Sequence, residues 1–267
     1  MNILINIIIQ IVIFILSIYI VGFIISKINS LFYKIVGESN VTCHITGIIG
    51  TPIHELSHAL FCVIFLHKIE EIKLFEINSE DGTLGYVRHS YNKKNIYKVI
   101  GNFFIGVAPI IVGTTILTLL LWLMIPTTFK NIMDNIDLFV VKTINGFNIN
   151  SFLELIYNIF VSFFKGANNW MWWLYLLICL FIALHMNFSV PDFKGSLGAL
   201  PFIILIIVII NLILGFIFKS IYPKYIQITW IAGSYLISML LLSLLFSLVT
   251  IIFAIVIRLF LKIVKKS

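Results

Sequence analysis

Long apolar runs separated by short polar stretches are the feature that most constrains the fold of this chain. The first run, from about residue 3 to residue 25, is almost entirely Ile, Val, Leu and Phe. Its length matches the roughly 20 residues that a helix needs to cross the hydrocarbon core of a bilayer. Because no small-residue cleavage site follows it, we interpret it as a transmembrane helix rather than a signal peptide.

Further runs of similar character recur along the chain. With 61% hydrophobic and 11% charged residues, the composition excludes a soluble globular domain. The sequence therefore predicts an all-α membrane protein, a polytopic bundle of about six transmembrane helices forming a single integral domain over residues 1–267. The predicted spans lie at about 3–25, 45–66, 99–125, 170–186, 200–218 and from about 230 onward.

Two regions between the spans are more polar. Residues 68–98 alternate apolar and polar side chains on both sides of Asp81-Gly82, a pattern that predicts a small membrane-associated β-hairpin. A solvated connecting loop is the equally weighted alternative for this region. Residues 126–169 mix polar residues with Phe, Ile and Val, which predicts amphipathic helices lying in the membrane interface.

The net charge of +7 does not indicate a nucleic-acid partner. The basic residues are scattered between the apolar runs instead of forming one basic surface, and the lipid bilayer is the expected partner. With six spans, both termini and the polar stretches 68–98 and 187–195 fall on one side, which carries most of the Lys and Arg. The positive-inside rule makes that side cytosolic, so we expect a multi-pass protein of the cell membrane.

The second apolar span contains His54-Glu55-Leu-Ser-His58. On a helix, residues four apart share a face, so the two histidines can bind one zinc ion. Glu55 lies about 100° round the helix, where its carboxylate can act as a general base without binding the metal. Cys62 lies one turn beyond His58, near the same face. It is a candidate neighbour of the metal, although we favour its interpretation as a small apolar packing residue.

A catalytic zinc site needs a third protein ligand. Asp192 is favoured because it lies between Pro191 and Gly195 in a predicted break between spans, where irregular backbone can line a cavity. His185 can instead bind substrate or orient a ligand. Glu70 and Glu71 follow the motif closely, but the predicted strand carries them away from it.

Together, the His54–His58 motif, Gly106-Val-Ala-Pro109 and the Pro191-Asp192 segment resemble the site-2 protease group of intramembrane zinc metalloproteases, as a divergent member. The resemblance implies that His54, His58 and Asp192 bind zinc and that Glu55 activates water. It also implies a hairpin after the catalytic helix. In this sequence the catalytic helix is about 45–66, and the Asp-bearing segment is 185–198.

The leading functional hypothesis is a zinc metalloendopeptidase that cleaves membrane-embedded protein substrates in or near their transmembrane segments. Asn102 in the third span, like His185, is a candidate for binding the substrate backbone. Two alternatives stay open. One is a zinc hydrolase acting on a lipidated peptide or a lipid, and the other is a non-enzymatic metal-binding scaffold or transporter.

Overall fold

The computed structural model describes residues 2–37, 40–77, 83–144 and 146–264. These residues form a helical bundle with one two-stranded sheet. The elements in chain order are α1 (Ile3–Ile11), a π-helical turn (Val12–Leu16), α2 (Ser17–Val36), α3 (Asn40–Ile64), β1 (Lys68–Lys73), β2 (Tyr86–Ser90), α4 (Ile96–Met124), α5 (Pro126–Thr143), α6 (Ile149–Lys165), a 3-10 turn (Gly166–Asn168), α7 (Trp170–Ala183), α8 (Val190–Phe216) and α9 (Tyr222–Val264).

The predicted all-α bundle with a small hairpin is confirmed. Within the described residues, five helices are long and apolar enough to cross a membrane: α1 with α2, most of α3, α4, α8 and most of α9. The predicted span at 170–186 is α7, which has only 14 residues. At 1.5 Å per residue such a helix is about 21 Å long, shorter than the roughly 30 Å hydrocarbon core. The five longer helices make the chain an integral membrane protein by their length and composition.

The break predicted around Asp192 is wrong. The helix expected from about residue 200 begins at Val190, so Asp192 lies in its first turn rather than in irregular backbone. Ser189 caps this helix and Pro191 occupies its first turn, where a missing N–H costs no hydrogen bond. The irregular segment is shorter than predicted and ends before the carboxylate.

The predicted hairpin is present. Strands β1 and β2 pair antiparallel, with Lys68 opposite Ser90 and Lys73 opposite Tyr86, and a bulge lies between Ile69 and Glu71. The predicted turn at Asp81-Gly82 lies outside the described residues. Because the hairpin follows α3 directly, it lies beside the end of the helix that carries the histidine motif.

Residues 126–169 fold as the helices α5 and α6, in agreement with the helical prediction. Their apolar faces are buried in the largest core cluster of the molecule, where Ile132, Ile136 and Phe163 are fully inaccessible to solvent. An ion pair of 2.6 Å between Lys142 Nζ and Glu154 joins the polar faces. The two helices thus pack against the bundle as a helical hairpin.

The first and last long helices run side by side in the same direction. The Gln10 side chain bonds Thr229, and Asn29 lies within hydrogen-bond reach of Ser247. Asn211 of α8 donates to Gln10 over 2.8 Å, so three helices share one buried polar network. In an apolar bundle such bonds fix helix register, because a polar group left unpaired is costly.

Candidate metal centre

The two motif histidines meet on one face of α3. Their Nε2 atoms are 3.1 Å apart. Two nitrogens bound to one tetrahedral zinc at about 2.0–2.1 Å are separated by roughly 3.4 Å. The observed separation therefore needs only a small adjustment to hold such an ion.

Both rings are fixed by main-chain carbonyls. His54 Nδ1 lies 2.7 Å from the carbonyl oxygen of His185, and His58 Nδ1 lies 2.8 Å from that of Ile105. A carbonyl only accepts hydrogen bonds, so each Nδ1 must carry the proton and donate. The Nε2 atoms of the two rings are then directed at each other, an arrangement that a cation between them would stabilise.

Asp192 is brought to the same place from α8. Its Oδ2 lies 3.5 Å from His58 Nε2, and the donor atoms of His54, His58 and Asp192 all lie within 4.8 Å of one another. The side chain of Asp192 is only 17% exposed. Two imidazole nitrogens and one carboxylate oxygen form a donor set that suits zinc.

A capping box orients the Asp192 carboxylate. The Ser189 N–H donates to its Oδ2 over 3.1 Å, the Ser189 hydroxyl donates to the same oxygen over 2.5 Å, and the Asp192 N–H donates back to the hydroxyl. The reciprocal bonds satisfy the free N–H groups at the start of α8. They also hold the carboxylate on the side of the helix that faces the histidines.

Gly106 allows α4 and α8 to approach closely enough to form this group. A Cβ at this position would lie 2.4 Å from the Asp192 carbonyl oxygen and 2.8 Å from Ser196 Cβ. The neighbouring residue Ile105 supplies the carbonyl that holds His58. One close crossing therefore positions both a histidine and the carboxylate.

Glu55 is buried, with 7% of its surface exposed. No hydrogen bond or ion pair to another described residue engages its carboxylate. The segment entering β2 crosses directly over it, because a Cβ on Gly85 would lie 3.0 Å from Glu55 Cγ and 2.9 Å from Thr51 Cγ2. The carboxylate is thus beside the histidines and enclosed by the hairpin.

Gly85 was not predicted as part of the site, although its place in a predicted strand was visible in the sequence. A glycine inside a strand pattern marks close approach of another group, and that is the signal which could have identified it. Here the other group is the helix face that carries Glu55.

His185 lies next to the site, and it contacts His54 through its main-chain carbonyl rather than through its ring. Its ring contacts Thr46 Oγ1 at 3.1 Å and Thr51 Oγ1 at 3.3 Å. A Cβ on Gly50 would lie 2.4 Å from His185 Cδ2, so the ring packs tightly on α3. The two threonines were not predicted. Of the two roles expected for His185, the geometry favours orienting His54 over contacting substrate.

The remaining candidates differ in position. Asn102 is half-buried on α4, one turn before Ile105 and on the same face. Glu71 accepts hydrogen bonds from Tyr86 and Arg88 within the hairpin. The third donor that the described residues bring to His54 and His58 is Asp192.

Comparisons with protein-family models, curated proteins and solved structures return no match for this chain. The class that the fold and the site define is an integral membrane protein with a group of residues that can hold a metal ion.

Proposed function

We propose that this chain is an intramembrane zinc endopeptidase that hydrolyses peptide bonds in or near the transmembrane segments of membrane-protein substrates. The observation that carries the proposal is the pair of Nε2 atoms 3.1 Å apart, fixed by carbonyls and joined by Asp192, beside the buried carboxylate of Glu55. The resemblance to site-2 proteases points to the same chemistry.

His54, His58 and Asp192 would hold the zinc ion. Three protein donors leave one position for water or substrate, as in catalytic rather than structural zinc sites. When bound, zinc would polarise the scissile carbonyl and lower the pKa of water at the site to near neutrality. The carbonyls of His185 and Ile105 keep both rings in the tautomer that this ligation requires.

Glu55 would act as the general base and then as the general acid. Its carboxylate accepts a proton from the attacking water as the water oxygen bonds to the carbonyl carbon. The same proton passes to the amine nitrogen as the carbon–nitrogen bond breaks. A carboxylate without a partner among the described residues is available for both transfers.

The hairpin provides a surface for an extended substrate. Gly85 lies over Glu55, so a peptide placed along the neighbouring backbone would pass the reacting groups. A substrate helix must unwind locally to present its carbonyls, and an added strand would satisfy its exposed N–H and C=O groups. Asn102 is a candidate for contacting that strand. The positive-inside rule assigns the polar stretches 68–98 and 187–195 to the cytosolic side, and we propose that the site lies toward that side of the membrane.

Replacing Glu55 with Gln tests this function. We expect the E55Q variant, reconstituted with single-span membrane proteins in lipid vesicles, to retain zinc and to yield none of the cleavage products found for the wild type by mass spectrometry. Glu154→Gln is a matched control, since it makes the same change at an exposed position on α6. Full cleavage by E55Q would contradict the assignment.

The lipid-hydrolase alternative requires an acyl-sized cavity that reaches the metal group. The cavity of about 780 Å³ between α1, α5 and α9 is lined by Asn6, Phe139 and Trp230 among others, and by none of the three metal-group residues. This cavity therefore does not favour the lipid-hydrolase alternative over the peptidase.

A further inference from the structure

A second group of metal-ligating side chains lies where α3 ends and the hairpin begins. It consists of Cys62 on α3, His67 just after α3 and His89 on β2, and the three donor atoms lie within 4.8 Å of one another. Cys62 and His67 are buried, while His89 is partly exposed. Cys62, interpreted from the sequence as a packing residue or a neighbour of the metal, is therefore also a candidate metal ligand.

The ring of His67 is oriented in the same manner as the rings of the first group. Its Nε2 lies 2.7 Å from the Lys98 carbonyl oxygen, so Nε2 must carry the proton and donate. The lone pair of the neutral ring is then on Nδ1, which lies 3.0 Å from His89 Nδ1. Stacking on Tyr91, with the ring centres 4.6 Å apart, further fixes the plane of His67.

The backbone turns sharply to place His67 beside Cys62. Leu66 has a φ of +56°, and the His67 N–H donates to the Cys62 carbonyl over 2.8 Å. This left-handed conformation normally favours glycine at a helix end, because a Cβ is strained there. A leucine held in it shows that the surrounding contacts determine the turn.

We propose that Cys62, His67 and His89 bind a second metal ion, a borderline-soft divalent cation of the zinc class. One sulfur and two imidazole nitrogens are donors that zinc prefers. On binding, the Cys62 thiol gives up its proton to solvent and the ion is held by the thiolate. The fourth position is left to water on the side of the partly exposed His89.

Such an ion would join three elements. Cys62 belongs to the helix of the first metal group, His89 belongs to β2, and His67 bonds the first turn of α4 through Lys98. Gly85, which covers Glu55, immediately precedes β2. The second ion would therefore fix the height of the hairpin over the first site. Its binding does not depend on the hydrolysis proposed for Glu55.

Metal analysis of the full chain purified in detergent tests the proposal. We expect about two zinc equivalents in the wild type and about one in Cys62→Ser. Cobalt(II), which occupies the same kinds of site, should give a thiolate-to-cobalt absorption band in the wild type that is lost in C62S. Cys43→Ser is the matched control and should keep both the band and the second equivalent.

Two further variants keep the test decisive. His89→Gln changes a partly exposed residue and should also remove one equivalent without the risk of disturbing the buried Cys62 position. His54→Ala should remove the first ion and retain the thiolate band, so failure of the first site is distinguishable from failure of the second. A wild-type protein with no thiolate band would overturn the proposal and leave His67 and His89 as a hydrogen-bonded pair.

Discussion

The two groups that could hold a metal ion both include side chains of α3, but they differ in how far apart in the chain their members lie. In both, a main-chain carbonyl of α4 accepts a hydrogen bond from a histidine, Ile105 for His58 and Lys98 for His67. The first group needs a carboxylate from α8, 134 residues beyond His58, whereas the second is assembled from one helix end and the adjoining hairpin.

Because their members come from different parts of the chain, the two groups depend on different packing contacts. The first group forms only when α3, α4 and α8 are packed together, so variants at distant helix crossings should disturb it. The second group should respond to changes in the hairpin and the first turns of α4. Selective variants can therefore separate the two groups.

The largest expected effect comes from Asp192→Ala. This change removes the donor from α8 and leaves both histidines without a third ligand, so we expect loss of the first ion and of all peptide cleavage. The second ion should remain, with its thiolate-to-cobalt band unchanged. Asp134→Ala, at an exposed position on α5, is the control and should alter neither ion. Retention of the first ion in D192A would show that the third ligand is another residue.

The next effect is expected from Gly106→Ala. Its Cβ would lie 2.4 Å from the Asp192 carbonyl, so α4 and α8 must move apart. We expect a loss of about 1–3 kcal/mol in the free energy of unfolding and weaker binding of the first ion, measured by denaturation and metal competition.

Two other glycines sharpen that result. Gly198→Ala should be neutral or stabilising, because a Cβ there meets nothing within 4 Å. Gly101→Ala should instead weaken binding of the second ion, because its Cβ would lie 2.5 Å from Phe65 Cβ and 3.1 Å from His67 Nε2. Equal effects of G106A and G101A on both ions would contradict the separation of the two groups.

Much of the architecture could be predicted from local pattern. Apolar length identified the five spanning helices of the described residues but also predicted a span at α7, which is too short. The four-residue spacing placed His54 and His58 on one face. The sequence also predicted that Asp192 lies near the two histidines, but the irregular backbone on which that prediction relied is absent at Asp192. A capping box in the first turn of α8, rather than irregular backbone, orients its carboxylate.

What the sequence did not reveal depends on contacts between elements. The grouping of Cys62, His67 and His89 requires a left-handed turn at Leu66 and the pairing of His89 with Ile69, and neither follows from residue type. Gly85 and Gly106 are informative only once the opposing surfaces are known. The available signal was that Cys62 and His67 directly precede the predicted hairpin and that His89 lies within it. The apolar residues around Cys62 favoured its interpretation as a packing residue.

A smaller effect is expected from Ser189→Ala. Ser189 caps α8 and donates to the Asp192 carboxylate, and none of the described residues plays this part in the second group. We expect a loss of about 1 kcal/mol in stability and an affinity for the first ion that is lower by about tenfold or more. Competition with a chelator of known affinity measures the change. An unchanged affinity would show that the capping box serves the helix alone.

The smallest effect is expected from Thr51→Val, which removes a hydrogen bond to the His185 ring 3.3 Å away. His185 holds His54 through its carbonyl, so the loss reaches the first ion only by loosening the segment that carries that carbonyl. We expect a destabilisation of about 0.5–1.5 kcal/mol and an affinity for the first ion that is lower by a few-fold, with the affinity for the second ion unchanged. Thr115→Val, whose hydroxyl bonds only its own helix at Ile111, is the matched control. If T51V and T115V have the same effect on the first ion, the contact between Thr51 and His185 takes no part in holding His54.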